Sequence, residues 1–504
     1  MTDLTYQVLA LLAYLAAMLG IGLWAFRRTT DLDDYMLGGR GLGPMVSALS
    51  AGASDMSGWL LLGLPGAIYA FGLVSGWIAV GLTIGAWLNW KFVAPRLRTY
   101  TQVAQDSITV PSFLENRLKD SSRLLRIASG AIILLFFTFY VSSGMVAGGL
   151  FFESSFDSGY HTGMIVVTAV VVAYTLFGGF LAVCWTDFVQ GTIMLCALVL
   201  VPVVGLFAVG GPGEAVESIR AVDPDRLSML SGATFLGVVS AAAWGLGYFG
   251  QPHVIVRFMA LRTPGEAREA RRIGIGWMLI SLFGAVGTAL VGIAYFQQNP
   301  DATLTDPEAV FISLGQILFH PLIAGVLLAA VLAAIMSTIS SQLLVTSSAL
   351  VEDLYKAVFR SNASDRQLVA LGRIAVLAVS VVAAWLAWGR GGSVLELVAY
   401  AWAGFGASFG PVILLSLWWR KLTATGALAG LVTGAVTVVV WGNIDALSSR
   451  MYEIVPGFAL NALVAIGVSL LTWRANPVIE AEFDEAVRLL DRDAYAESMR
   501  TPVA

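Results

Sequence analysis

The chain predicts an all-α membrane protein with about 13 transmembrane helices, two of them broken in halves that cross the bilayer in opposite directions. Three observations lead there. Of 504 residues, 58% are hydrophobic and only 12% charged. The mean hydropathy of +0.80 places the whole chain in the membrane class rather than among soluble multidomain proteins. Apolar stretches of spanning length recur from end to end. Two of them are interrupted at bilayer depth by glycine, proline and polar residues, where lipid cannot satisfy free backbone groups.

Taken in order, the expected spans are 4–26, 44–70, 73–93, 127–153, 162–182, 187–210, 232–260, 274–296, 321–349, 373–389, 394–418, 424–442 and 456–473. The opening MTDLTYQ lacks the basic region of a cleavable signal, so the apolar run from Val8 to Phe26 reads as a retained first helix. An odd number of spans puts the termini on opposite sides. With the N-terminus outside, the outer loops hold Arg220, Arg226, Arg390 and Arg450, and the other 25 of the 29 Lys and Arg fall at inner ends and loops. The positive-inside rule therefore predicts a cytoplasmic C-terminus. The segment after Arg474 is a short polar tail, too small for a fused signalling domain.

The formal charge of −4 gives no reason to expect a nucleic-acid partner. Cys184 and Cys196 lie in apolar segments and imply no disulfide framework. His161, His253 and His320 have no metal-ligand spacing and read as loop or helix-end residues. No nucleophile–base pair or phosphate-cradling loop marks an enzyme.

The first break is SALSAGASDMSGW, Ser47 to Trp59, which sets Asp55 among Gly52, Ser54, Ser57 and Gly58. An ionisable residue at this depth is costly and marks a functional site by default. The alternative is an N-cap for the half-helix beginning at Met56. The second break, WGLGYFGQP from Trp244 to Pro252, comes five spans later and so crosses in the opposite sense. Paired breaks in inverted halves are the signature of a secondary transporter with its site at the midplane. A third polar cluster, AAIMSTISSQLL from Ala333 to Leu344, crowds Ser337, Thr338, Ser340 and Ser341 onto a short stretch of helix. Hydroxyls with unwound carbonyls make a neutral oxygen set for a hard monovalent cation, while back-bonding to their own helix is the plain structural alternative.

The runs LGPMVSALSAGASDMSGWLLLGLPGA, GGFLAVCWTDFVQ, WGLGYFGQPH, VLAAIMSTIS and AYAWAGFGASFGP, in this order, resemble the sodium/solute symporter family, and within it the members that carry proline. The resemblance spans Asp33 to Phe458. It implies a LeuT-like core of two inverted five-helix repeats, 44–210 and 211–420. A first helix and loop (1–43) precede it, and peripheral helices (421–474) and a cytoplasmic tail (475–504) follow. It implies sodium-coupled import of L-proline across a bacterial inner membrane by alternating access. Carried over motif by motif, the sodium site would use the carbonyls of Ala53, Met56 and Ala334 with the hydroxyls of Ser337 and Thr338. Asp55, Ser57, Gly58, Tyr140, Trp244, Tyr248, Gln251 and Pro252 would form the substrate site. Asp187, Ser340 and Ser341 match a second sodium site found in some relatives, although Asp187 also reads as an N-cap opening the sixth helix. Arg40 resembles a gate-proximal arginine, and Trp59 reads as packing. Glu396 sits where the family pattern carries no charge and would face water. The rival expectations are another small solute, proton coupling through Asp55, or a solute sensor.

Overall fold

The computed structural model describes residues 2–27, 32–156, 158–359, 364–389 and 392–500. Arg390, counted above among the outer-loop charges, lies outside them. The described residues form helices and contain one isolated bridge, between Leu42 and Leu261. In chain order the principal helices are α1 Asp3–Phe26, α2 Pro44–Asp55, α3 Trp59–Phe71, α4 Leu73–Val103, α5 Leu124–Phe156 and α6 Tyr160–Leu176. Next come α7 Gly179–Ala208, α8 Phe235–Gly250, α9 Pro252–Met259, α10 Pro264–Gln298, α11 Pro307–Leu318 and α12 Pro321–Val358. The chain closes with α13 Gln367–Ala387, α14 Val394–Trp418, α15 Ala424–Gly442, α16 Ile454–Thr472 and α17 Pro477–Arg500.

Among the described residues, 10 of these helices are long and apolar enough to cross a membrane. Three expected spans consist of shorter pieces, for physical reasons. Two are the broken segments, α2–α3 and α8–α9. The third is α6, which is separated from α7 at Gly179, a residue at φ 58 and ψ −160 that only glycine adopts freely. The expected junction near residue 187 therefore falls too late. Asp187 does not open a helix as expected; it lies roughly two turns inside α7.

Prolines start several helices where the missing N–H costs nothing: Pro44, Pro252 and Pro321 all stand in first turns. The core of the bundle is close-packed around α12, with Ala333, Ala334, Ser337 and Ser340 fully buried. Large apolar side chains such as Phe283, Val381 and Trp385 point outward, as a lipid-facing surface requires. Helix α4 meets α8 at backbone contact: a Cβ on Gly85 would stand 2.1 Å from the Gly245 carbonyl oxygen. The tail is not a loose extension. Helix α17 folds back onto the bundle, where Lys119 Nζ reaches Glu482 at 2.6 Å and the Arg117 guanidinium lies over Phe483.

Candidate functional site between the broken helices

Helix α2 stops at Asp55. Met56 takes a non-helical conformation with φ −83 and ψ 77, though its N–H still reaches the Gly52 carbonyl, and Ser57 N–H bonds back to Asp55 O at 3.0 Å. The chain then restarts as α3 through a wide turn, Trp59–Gly63. In the second segment the last turns of α8 tighten into a 3-10 stretch, Ala243–Gly250. The chain opens at Gln251, φ −80 and ψ 105, and restarts at Pro252. Both breaks predicted from glycine, proline and polar residues are present.

They meet. The Tyr248 hydroxyl donates to the Asp55 carboxylate, and both residues are buried. Trp59 Nε1 donates to Asp55 O at 3.2 Å, so this ring braces the break rather than only filling space. The Trp59 and Trp244 rings stand 6.2 Å apart, and Trp244 stacks on Tyr452 at 5.6 Å. The Tyr140 hydroxyl is buried without a hydrogen-bond partner. Gly58 sits where a Cβ would stand 3.0 Å from Ala147. Gln251 Nε2 donates to Trp402 O at 3.1 Å, tying the second break to α14. Asp55 Oδ1 and Gln251 Oε1 are buried without a hydrogen-bond partner. Orphaned acceptors at this depth are costly unless a ligand uses them.

A second group of oxygens converges just beside the first break. Ser337 Oγ donates to Ala53 O at 2.7 Å and lies 3.2 Å from Ala334 O. Thr338 Oγ1 lies 3.5 Å and 3.3 Å from the same two carbonyls. Four of the five expected sodium ligands are therefore linked by hydroxyl–carbonyl contacts of 3.5 Å or less, and the fifth, Met56, is the break residue itself. This is a neutral, all-oxygen set, the chemistry that suits a hard monovalent cation.

The expected second-ion residues are disposed differently. Asp187 Oδ2 is taken by the Arg257 guanidinium at 3.0 Å and by Ser50 Oγ at 2.7 Å. Ser341 Oγ accepts from Arg257 at 2.6 Å, and Ser340 turns back to Ser337 O at 3.0 Å. A protein cation, Arg257, stands at the centre of this group. At the same end of the bundle, Arg40 donates to Met259 O at 2.8 Å and to Ser107 O at 3.0 Å, and pairs with Asp106 at 2.8 Å.

Several site residues escaped sequence reasoning. Arg257 carried the strongest unused signal, a lone charge in the apolar run VIVRFM. Trp402 donates from Nε1 to Trp244 O at 2.7 Å, and Asn89 Nδ2 donates to Tyr248 O at 2.9 Å. His161 and His320 sit at helix ends as expected. His253 does too, as the second residue of α9, but it is fully buried, flanked by Phe137 and Tyr140. Glu396 is exposed as expected, and it also closes a capping box with Ser393, from the pattern Ser-x-x-Glu.

Cavities lie at different depths. One of about 580 Å³, lined by Gly63, Gly66, Phe71, Glu308, Ser393 and Leu395 among others, occupies the end of the bundle opposite Arg40. Beside the break, the space between Asp55, Met56, Trp90 and Tyr248 is about 20 Å³.

The sequence matches the Sodium:solute symporter family over residues 35–434. It is 61% identical to the high-affinity proline transporter PutP of Bacillus subtilis, over 93% of this chain and 98% of that protein. It is 50% identical to the sodium/proline symporter of Escherichia coli, over 96% of each chain. Among solved structures, a Na+-coupled sialic acid symporter in a substrate-bound outward-open state superposes with a TM-score of 0.80 at 19% identity, covering 94% of this chain and 99% of that one. Two broken helices meeting at a buried carboxylate, on a LeuT-like fold and with relatives that are transporters rather than enzymes, make this multi-pass chain a member of the sodium:solute symporter family.

Proposed function

We propose that the protein imports L-proline by sodium symport across the bacterial inner membrane, with its N-terminus outside and its C-terminus in the cytoplasm, on thirteen spans. The observation that carries this reading is the junction of Ser337 and Thr338 with the Ala53 and Ala334 carbonyls, Ala53 standing two residues before Asp55 and its Tyr248 contact. On this reading the hydroxyls turn from the carbonyls toward an arriving sodium ion, and Met56 adds its own carbonyl. The ion then holds the first break in the shape that Ser57, Gly58 and Tyr140 need to meet a small zwitterion.

Trp244 and Tyr248 would cover the solute's ring, and Asp55 would face its ammonium, while Gln251 and Pro252 hold the second break open. The residues gathered at the Arg40 end, including Arg98, Arg117 and Arg126, support placing that end in the cytoplasm. The domain division follows the same logic, with repeats at 44–210 and 211–420 flanking the site.

The energetics suffice. One sodium entering down a 100 mV inside-negative potential releases about 2.3 kcal/mol. A tenfold sodium gradient adds about 1.4 kcal/mol. Together they sustain a solute gradient of roughly several hundredfold for a net-neutral zwitterion. The test is labelled proline uptake in proteoliposomes with a sodium gradient, against choline replacement and a panel of unlabelled amino acids. Uptake that persists in choline at fixed pH points to protons through Asp55 instead. Stronger competition by another solute than by proline reassigns the substrate.

A further inference from the structure

Beneath the proposed sodium site lies a second polar centre that the transport reading leaves unused. Arg257 and Asp187 are 1% and 0% exposed, deep within the helix bundle. The guanidinium is almost fully engaged: Nε donates to Ser50 Oγ at 3.0 Å, one nitrogen donates to the His253 carbonyl, and the other donates to Asp187 at 3.0 Å and Ser341 at 2.6 Å. The placement is regular. Ser50 precedes Ala53 by one turn of α2, and Ser341 follows Ser337 by one turn of α12. The centre is thus a copy of the ion site displaced by a turn along the same two helices, with a carboxylate added from α7.

We propose that Arg257 is a built-in counter-cation that occupies this centre permanently and so limits coupling to one sodium per solute. A carboxylate, two hydroxyls and a carbonyl form a competent ligand set for a hard cation, yet each is already committed to a charge that cannot leave. A mobile ion would have to displace it and then sit against it. The pair is also net neutral, so it adds no repulsion to a sodium held one turn away. Because Arg257 belongs to α9 and Ser50 to α2, the same contact ties both broken segments to α7 and α12.

This rests on the sodium–proline reading, and one measurement separates the two. In proteoliposomes, simultaneous sodium and proline fluxes in the unmodified protein should give one ion per solute, with hyperbolic sodium activation. If no sodium moves with proline, the transport reading fails; if two ions move, the counter-cation inference alone fails. Arg257→Gln strands Asp187, so uptake at the sodium level that saturates the unmodified protein should drop at least about tenfold, since an unpaired buried charge is strongly unfavourable. The remaining activation should become sigmoidal and shift to higher sodium as a second ion fills the gap. The double variant Arg257→Gln with Asp187→Asn removes both charges and should restore hyperbolic activation. Arg257→Lys should keep it. Hyperbolic activation at full rate in Arg257→Gln alone overturns the inference. So does a double variant no more active than the single one, and this comparison stands if the single variant folds poorly.

Discussion

Replacing Ser337 with alanine removes one ligand from the proposed sodium site while leaving the backbone carbonyls in place. Its hydroxyl is the nearer of the two, 2.7 Å from Ala53 O, against 3.5 Å for Thr338. A polar contact to a charged partner is worth about 1.5–3 kcal/mol, whereas the neutral hydroxyl–carbonyl bond lost without sodium is worth about 0.5–1.5 kcal/mol. The difference falls on binding rather than folding. That difference is about 1–1.5 kcal/mol, so at 1.4 kcal/mol per factor of ten half-saturating sodium should rise roughly 5- to 12-fold. Thermal stability in sodium-free detergent should change little. The assay is proline uptake against sodium concentration in proteoliposomes. Reciprocity adds a check: sodium and proline must raise each other's affinity by one factor. The proline KM should therefore worsen at low sodium and recover at saturating sodium. Thr338→Ala should act in the same direction, and Thr338→Ser should be mild because the hydroxyl remains. Half-saturating sodium within about twofold of the unmodified value in both alanine variants refutes the assignment, since one contact to an ion is worth more than that.

Tyr248→Phe removes the donor to Asp55, whose other oxygen already lacks a partner; stranding this buried acceptor costs about 1–3 kcal/mol. That cost falls on the solute-free protein, so the expected result is a lower melting temperature in proline-free detergent that saturating proline partly restores. Gly247→Ala would place a Cβ 1.9 Å from Trp402 Nε1, the atom that donates to Trp244 O. Overpacking of about 1–3 kcal/mol should lower the melting temperature by several degrees and weaken proline binding with it, whereas the exposed Gly213, with open space around it, should tolerate alanine. Arg40→Ala cuts the bonds to Met259 O, Ser107 O and Thr101 far from the breaks. Maximal uptake rate should fall while the proline KM stays within about twofold, measured over a full concentration series.

What could be read in the residues follows from what local chemistry dictates. Breaks at 55–58 and 251 are legible because an apolar run of spanning length has little use for glycine, proline and free polar groups unless its backbone opens there. Ser337 and Thr338 are legible as a cluster, but not their aim at Ala53, which depends on how α12 crosses α2. The junction at Gly179 leaves no mark in the residues, because apolar side chains run through it unbroken from Ala169 to Trp185 with only glycine and threonine between. Placing that junction too late carries Asp187 to a helix end and hides its depth. Arg257 leaves a mark, a lone charge in the apolar run VIVRFM, but its partners leave none. Only the tertiary arrangement brings Asp187, Ser50 and Ser341 to it. Trp402 and Asn89 act through backbone carbonyls of a distant helix, and such pairings leave no local pattern in a single sequence.

The two ends of the molecule are closed by different means, and this bears on where coupling must act. Toward Glu308, the cavity reaches Gly63, one turn from Trp59, whose ring stands 6.2 Å from that of Trp244, itself stacked on Tyr452. Toward Arg40 the broken segments are bonded to each other: Leu42 N–H donates to Ala260 O, and Arg262 N–H returns to Leu42 O, both at 3.2 Å. Beyond them Arg126 holds Glu115, Glu352 and Asp353 at 2.9–3.0 Å, pinning the connecting helix Val110–Leu118 to α5 and α12. Opening this end breaks several such contacts at once, at about 1 kcal/mol each for the neutral bonds and more for the buried charges. A carrier that leaked sodium would cross this barrier with the ion alone. On the proposed reading the ion site lies in the seam between α2 and α12, so an ion bound without solute leaves Asp55 and Gln251 with orphaned acceptors on the side that must compact. Filling those acceptors with the solute removes the penalty. The thick end can then open at acceptable cost only when both sites are loaded, which is the condition that symport requires.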